Sequence, residues 1–223
     1  MKISVLIISY NEEKYIGECI KSILNQNQSP DEVVLLAHNC TDKTIEIAQG
    51  FPITVMPFNG ARGLVYALLE GLNHISGDIV LCIDGDSFAH KNWIKAMIAT
   101  LKHNGNVLVG SWVKFKGTIF GNIYSMYHKY SYILKPKDTA YRIWGPSHAF
   151  WGKDRAFVRE ILKNSIALSN NINLPRNPTD YWLALFMSKR GGLEWTNKTW
   201  VIQYTKEVSM RQMAARRVES HRN

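Results

Sequence analysis

The sequence of 223 residues is poor in cysteine, short of acidic residues and without a long apolar run. Its three cysteines, Cys19, Cys40 and Cys82, are odd in number and widely spaced, which argues against both a disulfide framework and a zinc site. No stretch of about 18 apolar residues occurs, so we expect no helix that crosses a membrane. The first apolar run, residues 3–8, is too short for a secretory signal, and we expect a cytoplasmic protein.

The shortage of acids leaves a net charge of +9, from 27 lysines and arginines against 18 acidic residues. Nucleic acid, an anionic membrane surface or a phosphorylated substrate would each explain this charge, and so would a surface that is simply solvated by lysine. The composition, 46% apolar and 20% charged, is that of an ordinary globular protein. The length suits a single domain with a large core.

Apolar strands alternate with amphipathic helices over the first half of the sequence. We predict strands in short apolar segments, at residues 2–9, 32–37, 53–56, 78–83 and 107–112. We predict helices where apolar residues have helical spacing, at residues 12–26, 41–49, 61–72 and 93–102. This alternation predicts an α/β fold, with a mainly parallel central sheet flanked by helices in a single domain.

The character of the sequence changes near residue 113. Residues 114–137 interleave aromatic and basic side chains. Further on we predict helices at residues 154–163 and 180–189, and a late strand or hairpin at 195–204. We therefore divide the domain near residue 113 into a first half, residues 1–112, and a second half, residues 113–223, which ends in a basic tail.

The strongest chemical signal is a pair of acids, Asp84 and Asp86, directly after the apolar segment 79–83. In an open α/β sheet, ligands bind beyond the carboxyl ends of the strands. Two carboxylates at that edge suit a hard divalent cation that also holds phosphate oxygens and offsets the charge of a departing diphosphate. Taken alone, the motif fits a plain turn equally well.

Polar residues also stand at three other transitions from strand to helix. They are Tyr10, Asn11 and Glu12; then His38, Asn39 and Asp42; and finally Arg62 and Gly63. Each group has a structural alternative: Asn11 could cap the first helix, Asn39 or Thr41 the second, and Arg62 could be solvated. Four such transitions at one edge of a sheet predict a mononucleotide site beside a metal ion.

The order and spacing of these segments resemble the family 2 glycosyltransferases, which use the GT-A fold. The opening strand and helix of that family look like SVLIISYNEEKYIGECIKSILNQ, and its second strand and turn resemble VVLLAHNCTDKT. Its glycine-rich helix start resembles GARGLVYALLEGL, and its metal motif resembles GDIVLCIDGDS. The resemblance extends over residues 2 to about 112 and is thin beyond residue 113.

The resemblance implies an inverting, metal-dependent transferase that uses a nucleotide-diphosphate sugar. It also implies that residues 1–112 are a nucleotide-sugar-binding half and residues 113–223 an acceptor-binding half. Asp84 would contact the nucleotide sugar, and Asp86 together with Asp84 would bind Mn²⁺ or Mg²⁺. The nucleotide-sugar residues that it implies are Tyr10, Asn11, Glu12, His38, Asn39, Asp42, Arg62, Gly63 and Asp84. We expect a glycan or lipid-linked acceptor, as in polysaccharide biosynthesis, and no nucleic-acid partner.

Two positions depart from the pattern of the family. His38 follows Ala37 where the family usually has an acid that contacts the nucleotide base, which puts the usual preference for uridine in question. Leu64 stands where a basic residue often follows the glycine, so we expect Arg62 to carry that role alone.

The resemblance also implies a catalytic base in the second half of the chain. PTDYWL, residues 178–183, resembles the segment in which an acid opens a helix, which makes Asp180 the base that removes the proton of the acceptor hydroxyl. The alternative is that Asp180 only favours the helix N-terminus. WGPSHAF, residues 144–150, resembles a segment that lines the sugar and acceptor pocket, although His148 also fits a core histidine. We expect in this pocket Trp144, Gly145, Ser147, His148, Tyr181 and Trp182.

The aromatic and basic segment, residues 114–137, has two interpretations. It is either core with a solvated face, or a surface that contacts the inner face of the cell membrane peripherally, with rings at the headgroups and lysines near anionic lipid. The basic tail does not match the Gln-x-x-Arg-Trp motif of processive members, so we expect addition of a single sugar.

Two functions from other classes remain as alternatives. The first is a binding protein without turnover, either a catalytically silent relative or a nucleic-acid binder whose affinity would fall steeply with salt. The second is a nucleotidyltransferase, which would need a glycine-rich triphosphate loop near the amino terminus. Residues 9–15 hold no glycine and two acids, which makes that function the weakest of the three.

Overall fold

The computed structural model describes residues 1–116, 147–171 and 179–204. The strands in these ranges are β1 (Ile3–Ser9), β2 (Glu32–His38), β3 (Thr54–Phe58), β4 (Ile79–Asp84), β5 (Ser87–Ala89), β6 (Asn106–Lys116), β7 (Ser147–Trp151) and β8 (Gly192–Tyr204). The helices are α1 (Ile16–Leu24), α2 (Thr44–Gln49), α3 (Leu64–Gly71), α4 (Trp93–Leu101), α5 (Arg155–Asn171) and α6 (Thr179–Met187).

The strands form one sheet in the order β3-β2-β1-β4-β7-β6-β8-β5. β1, β2, β3 and β4 are mutually parallel, β7 runs antiparallel to both of its neighbours, β8 is parallel to β6, and β5 is antiparallel to β8. The sheet is therefore mixed but mostly parallel. The predicted α/β fold with flanking helices is confirmed.

Helices cover both faces of the sheet, which explains why β1 is buried along its whole length and is apolar except for Ser4 and Ser9. Alternate side chains of a strand point to opposite faces. Val5 and Ile7 pack in one core cluster with residues of α1 and α4, and Leu6 packs in the other with residues of α3, α5 and α6. The close contact of α3 with β1 depends on Gly71, where a Cβ would lie 2.8 Å from both δ carbons of Leu6.

Two strands were not predicted, and the helix caps considered as structural alternatives do not form. β5 has only three residues, and β7 lies in the segment assigned to the pocket. α1 begins at Ile16 after Tyr15, so Asn11 does not cap it, and α2 begins at Thr44 after Lys43, so neither Asn39 nor Thr41 caps that helix. The reason is that loop-to-loop hydrogen bonds use these side chains, as described below.

The proposed division of the domain near residue 113 falls inside β6. β6 pairs with β7 and β8 in the same sheet as β1 to β4, so the two predicted halves share one sheet. The division stays a prediction about function. Among the described residues, no helix combines the length and apolar character that a bilayer crossing requires.

Candidate active site

An open cleft of about 370 Å³ lies at the carboxyl ends of β1, β2 and β4. The chain runs from β1 outward to β2 and β3 and then returns to β4 on the other side of β1. Ligands of open α/β sheets bind at such a reversal of strand order. The cleft is lined by the predicted residues Tyr10, Glu12, His38, Asn39, Arg62, Gly63, Asp84 and Asp86, together with Ile8, Ser9, Leu64, Ala67 and Gly85.

The Asp84-Gly85-Asp86 turn joins β4 to β5 at the edge of this cleft. Gly85 N donates a hydrogen bond to Ile8 O at 2.8 Å, which ties the turn to β1. A Cβ at Gly85 would lie 2.8 Å from Ser9 Oγ, so a side chain there would force the turn and β1 apart. The glycine thus fixes the backbone between two partly exposed carboxylates.

The donor set of the turn fits a hard divalent cation. Mg²⁺ and Mn²⁺ prefer carboxylate, carbonyl and water oxygens, and Mg²⁺ is commonly bound through one or two carboxylates plus substrate phosphates. Within the part of the chain that the structure describes, no three His, Cys, Asp or Glu side chains are grouped to hold a metal ion. Asp84 and Asp86 would therefore hold a cation together with oxygens from other sources, such as a diphosphate.

Gln203, near the end of β8, also reaches the turn. Its Nε2 lies 3.3 Å from Oδ1 of Asp86 and 3.5 Å from Oδ2 of Asp84. No sequence motif indicates this residue, because it lies 117 positions after Asp86 and meets it only through the pairing of β5 with β8. The sole hint in the sequence is the predicted late strand, which did not identify a partner.

Aromatic contacts hold the end of β8 in place. Tyr204 N donates to Asp86 O at 3.0 Å. The ring of Tyr204 stacks on Tyr15, and Phe88 meets it edge-on, each with centroids 4.9 Å apart. The turn is thereby fixed from the side of β8 as well as from β1.

Cys19 of α1 packs under the same turn, with its Sγ 3.6 Å from Asp84 O. Burial raises the pKa of this thiol far above its usual value, and the nearby Asp86 and Asp84 carboxylates raise it further. Cys19 therefore stays a protonated donor to the backbone and is not a thiolate ligand.

Asn11 and Asp42 lie outside the lining of the cleft and join its two loops. Asn11, at φ 54°, accepts a hydrogen bond from Thr41 N at 2.8 Å. Asp42 accepts from Glu13 N at 3.0 Å and Thr44 N at 3.0 Å. Partial burial raises the pKa of Asp42, but the hydrogen bonds from Thr44 and Glu13 outweigh it and lower the pKa below its usual value. These two residues hold the β1–α1 and β2–α2 loops together.

His38 and Asn39 bind the loop that precedes α3. His38 Nε2 contacts Ala61 O at 2.9 Å and Asn39 Nδ2 at 3.1 Å. Asn39 donates to Gly60 O at 3.0 Å and accepts from Gly60 N at 3.1 Å. This pairing sets the position of Arg62 and Gly63 at the cleft.

Comparison with protein families gives a match over residues 4–165 to the family described as glycosyl transferase family 2. The chain belongs to this family. The match begins in β1 and ends within α5, so it includes the cleft and the Asp84-Gly85-Asp86 turn.

Curated relatives of this family 2 chain are glycosyltransferases that are longer than it. The glucosyl-dolichyl phosphate glucuronosyltransferase of Haloferax volcanii is 27% identical over 132 residues, which cover 54% of this chain and 42% of the relative. The dolichol-phosphate mannosyltransferase of Pyrococcus furiosus is 30% identical over 116 residues, which cover 50% of this chain and 33% of the relative. Each alignment thus spans less than half of the relative's own length.

Solved structures with similar folds are GT-A glycosyltransferases. Glucosyl-3-phosphoglycerate synthase from Mycobacterium tuberculosis, in complex with Mn²⁺, UDP-glucose and glycerol 3-phosphate, has a TM-score of 0.67 at 21% identity, over 99% of this chain and 77% of that one. A mannosyltransferase from Pyrobaculum calidifontis, in complex with GDP-mannose and Mn²⁺, has a TM-score of 0.66 at 18% identity, over 99% and 61%. At these identities the likeness establishes the GT-A fold.

The residues predicted for catalysis and for the acceptor pocket are described only in part. Trp144 and Gly145 lie outside the described residues, and for Asp180, Tyr181 and Trp182 the structure describes only their place in the first turn of α6. Ser147 is buried in β7, where it contacts Trp93 Nε1 at 2.8 Å and Ser111 Oγ at 2.9 Å.

His148, the next residue of β7, is also buried and is not among the residues that line the cleft. Burial lowers its pKa to about 4, so the imidazole is neutral at pH 7. Its placement is that of a core histidine, which was the structural alternative. The pocket role predicted for Ser147 and His148 thus has no support from the cleft described above.

Proposed function

We propose that this chain is an inverting glycosyltransferase that moves a single sugar from a nucleotide-diphosphate sugar to a hydroxyl of a glycan or lipid-linked acceptor, with Mn²⁺ or Mg²⁺. The observation that carries the proposal is the cleft at the reversal of strand order, where two carboxylates of one turn face aromatic, amide and basic side chains. This combination suits a ligand with a base, a ribose and a diphosphate.

The donor would be held by residues from three loops. Tyr10, 51% exposed, offers a ring face to a nucleotide base, and the buried His38 and the partly buried Asn39 also line the cleft. Arg62 is exposed at the start of α3, where a guanidinium and backbone N–H groups suit phosphate oxygens. A bound Mn²⁺ or Mg²⁺ would offset the negative charge of the departing diphosphate.

The acceptor hydroxyl needs a base to attack the anomeric carbon. We assign this role to Asp180: its carboxylate takes the hydroxyl proton as the new C–O bond forms and the bond from the anomeric carbon to the diphosphate oxygen breaks. The attack comes from the face opposite to the leaving group, so the configuration is inverted. Arg62 then stabilises the charge on the leaving diphosphate.

A lipid-linked acceptor would bring the protein to a membrane surface. In support, lysines of β6 lie over rings of β8: Lys114 Nζ is 3.7 Å from the centroid of Trp200, and Lys116 Nζ is 5.8 Å from that of Tyr204. Alternating rings and lysines suit an interface with anionic headgroups. Sedimentation with vesicles that contain anionic lipid, compared with neutral vesicles, tests this contact, and Lys114→Glu should weaken it.

The first experiment measures donor hydrolysis across a panel of nucleotide sugars with Mn²⁺, Mg²⁺ or EDTA. We expect slow release of nucleoside diphosphate from one donor, dependent on the metal ion. We also expect at least ~100-fold less release from Asp86→Ala, in line with the loss of a group that acts on the transition state. Asp78→Ala is the matched control, since Asp78 is exposed at the opposite end of β4.

The panel also tests the competing functions. Metal-dependent binding of a donor without hydrolysis would indicate that turnover requires the acceptor. No binding of any donor, with or without a metal ion, would favour the silent relative instead. Binding of nucleic acid that weakens steeply with salt would favour the nucleic-acid binder.

A further inference from the structure

The carboxamide of Gln203 faces both carboxylates of the Asp84-Gly85-Asp86 turn. Its nitrogen is within 3.5 Å of one oxygen of each acid. Since an amide NH₂ carries two hydrogens, it can donate to both oxygens at once. The three side chains therefore meet at one point, although the family-2 motif in the sequence contains only two of them.

The backbone keeps Gln203 at this point. Gln203 pairs with Ser87 in the antiparallel ladder of β5 and β8, and the next residue, Tyr204, donates its N–H to Asp86 O. The ring of Tyr204 packs against Tyr15, the residue before α1, and against Phe88 of β5. The strand that carries Gln203 is thus attached to β5 at Gln203 itself and to the turn at the next residue.

A carboxamide in this position can coordinate a cation as well as donate hydrogen bonds to two carboxylates. It carries a nitrogen donor and an oxygen acceptor on one carbon, and the terminal torsion of glutamine is broad and nearly two-fold. A half turn therefore exchanges Nε2 for Oε1 without moving the strand. Amide oxygens are among the hard ligands that Mg²⁺ and Mn²⁺ accept, and a neutral one adds no further negative charge.

We propose that Gln203 is a third protein side chain of the cation site. Its Nε2 holds Asp84 and Asp86 together in the metal-free protein, and its Oε1 is a ligand of the bound Mn²⁺ or Mg²⁺. This inference rests on the proposed function, because it assumes that the turn binds a divalent cation. It differs from a purely structural role, in which Gln203 only donates hydrogen bonds to the two acids and competes with the cation.

Binding of Mn²⁺ tests the proposal without any turnover. Mn²⁺ is titrated into the metal-free protein with UDP and, separately, with GDP, and the free ion is measured by electron paramagnetic resonance. We expect Gln203→Leu to weaken Mn²⁺ binding by about 10- to 100-fold, as losses in the surroundings of metal sites do. Gln203→Glu should restore binding, because it returns an oxygen ligand.

Two further variants complete the comparison. Gln49→Leu makes the same chemical change at the exposed end of α2 and should bind Mn²⁺ like the wild type. Gln203→Asn keeps the amide but shortens the side chain, and should fall between the wild type and Gln203→Leu. Melting temperatures establish that each variant is folded. If Gln203→Leu does not fold, the Mn²⁺ affinities of Gln203→Glu and Gln203→Asn are compared with that of the wild type instead.

The dependence of donor hydrolysis on Mn²⁺ concentration gives a second readout. In Gln203→Leu the half-saturating concentration should rise by the same factor, and excess Mn²⁺ should restore the rate. Mn²⁺ affinity that is unchanged or tighter in Gln203→Leu, while the wild type binds Mn²⁺ and hydrolyses a donor, would overturn this inference alone. A wild type that neither binds Mn²⁺ nor hydrolyses any donor would overturn the proposed function together with it.

Discussion

Asn11 and Asp42 lie in the loops that frame the cleft, yet backbone N–H groups of the neighbouring loop occupy their side chains. Tyr10 and Arg62, in equivalent loops, are exposed and line the cleft. Residues of similar polarity at one sheet edge thus divide into those that support the loops and those that face a ligand. At the scale of single residues, the partners of a side chain decide its role.

Asp180→Asn tests the assignment of the base. Asparagine has the same shape but cannot take a proton, so we expect the rate of transfer to an acceptor to fall by at least ~100-fold. Donor binding should be unchanged. Glu160→Gln, an exposed acid of α5, is the matched control.

The alternative role for Asp180 gives a different result. If it only favours the start of α6, Asp180→Asn would lower stability by about 0.3–1 kcal/mol and leave turnover near normal. Near-normal turnover would therefore remove Asp180 from catalysis. Thermal unfolding of the same samples measures the stability change.

Gly85→Ala tests the close approach of the turn to β1. The added Cβ would lie 2.8 Å from Ser9 Oγ and 2.9 Å from Ser9 Cβ, so the turn must shift and carry both carboxylates with it. We expect metal-dependent hydrolysis to fall by about 10-fold or more, since small displacements of positioned groups are costly.

A double-mutant cycle separates this clash from other effects of the alanine. Ser9→Gly removes both contacted atoms, so Ser9→Gly with Gly85→Ala should regain part of the activity that Gly85→Ala loses. Gly17→Ala is the control in α1, because its Cβ would meet no atom nearer than 3.5 Å. Strictly additive losses in the cycle would show that the clash is not the cause.

At the scale of elements, the cleft depends on contacts between loops that follow different strands. Asn39 joins the end of β2 to the loop before α3, and Gly85 joins the end of β4 to the end of β1. β8 closes the arrangement from the other side, through Gln203 and Tyr204. The site therefore depends on the packing of β1, β2, β4 and β8 and of the loop before α3, and not on any one motif.

Asn39→Ala should loosen the loop that carries Arg62. Asn39 has φ 53°, which alanine adopts at a cost of about 1–2 kcal/mol, and the change also removes two hydrogen bonds to Gly60. We expect lower stability in urea unfolding and a KM for the donor that rises several-fold.

Asn104→Ala provides the control for backbone strain. Asn104 has a similar φ of 48° but lies in the α4–β6 loop. Its replacement should lower stability through strain and leave the KM unchanged. An Asn39→Ala enzyme with wild-type KM would contradict the role of Asn39 in positioning Arg62.

At the scale of the whole molecule, the sheet buries a histidine that must stay neutral. His148 is 8% exposed in β7, opposite Cys82 of β4, and its ring stacks on Phe150 at 6.4 Å. Burial disfavours the charged imidazolium, which lowers the pKa from 6.5 to about 4. Protonation of this residue is thereby linked to global unfolding.

The pH dependence of stability follows from this shift. Between pH 6.5 and 4 the unfolded chain binds a proton at this site and the folded chain does not, so stability is lost as the pH falls through this window. The full effect is about 3 kcal/mol, at roughly 1.4 kcal/mol for each pKa unit. Urea unfolding at pH 7, 6, 5 and 4.5 measures it.

His148→Phe should make the loss of stability between pH 6.5 and 4 smaller than in the wild type. His103→Gln, a change at an exposed histidine, is the control for surface titration and should leave most of the slope in place. If His148→Phe retains the full slope, the buried imidazole is not its source.

The sequence by itself determined the class of fold and predicted the sheet edge at which the cleft lies. Residues of β1 to β4 form apolar segments, with helical periodicity between them, so local patterns are sufficient to predict parallel strands and covering helices. Because parallel strands end at one edge of the sheet, the sequence alone was sufficient to predict that the polar residues after β1, β2 and β4 lie near one cleft. The family resemblance rests on the same segments.

Only the tertiary structure decided which polar residues face the cleft and how β5, β7 and β8 complete the sheet. A loop residue such as Asn39 makes its hydrogen bonds with a loop 21 residues away, and Gln203 meets Asp86 across 117 residues. Such contacts follow from strand pairing between distant segments, which no local periodicity encodes. The burial of Ser147 and His148 was likewise hidden, because an antiparallel strand inserted between β4 and β6 leaves no signal outside its own five residues.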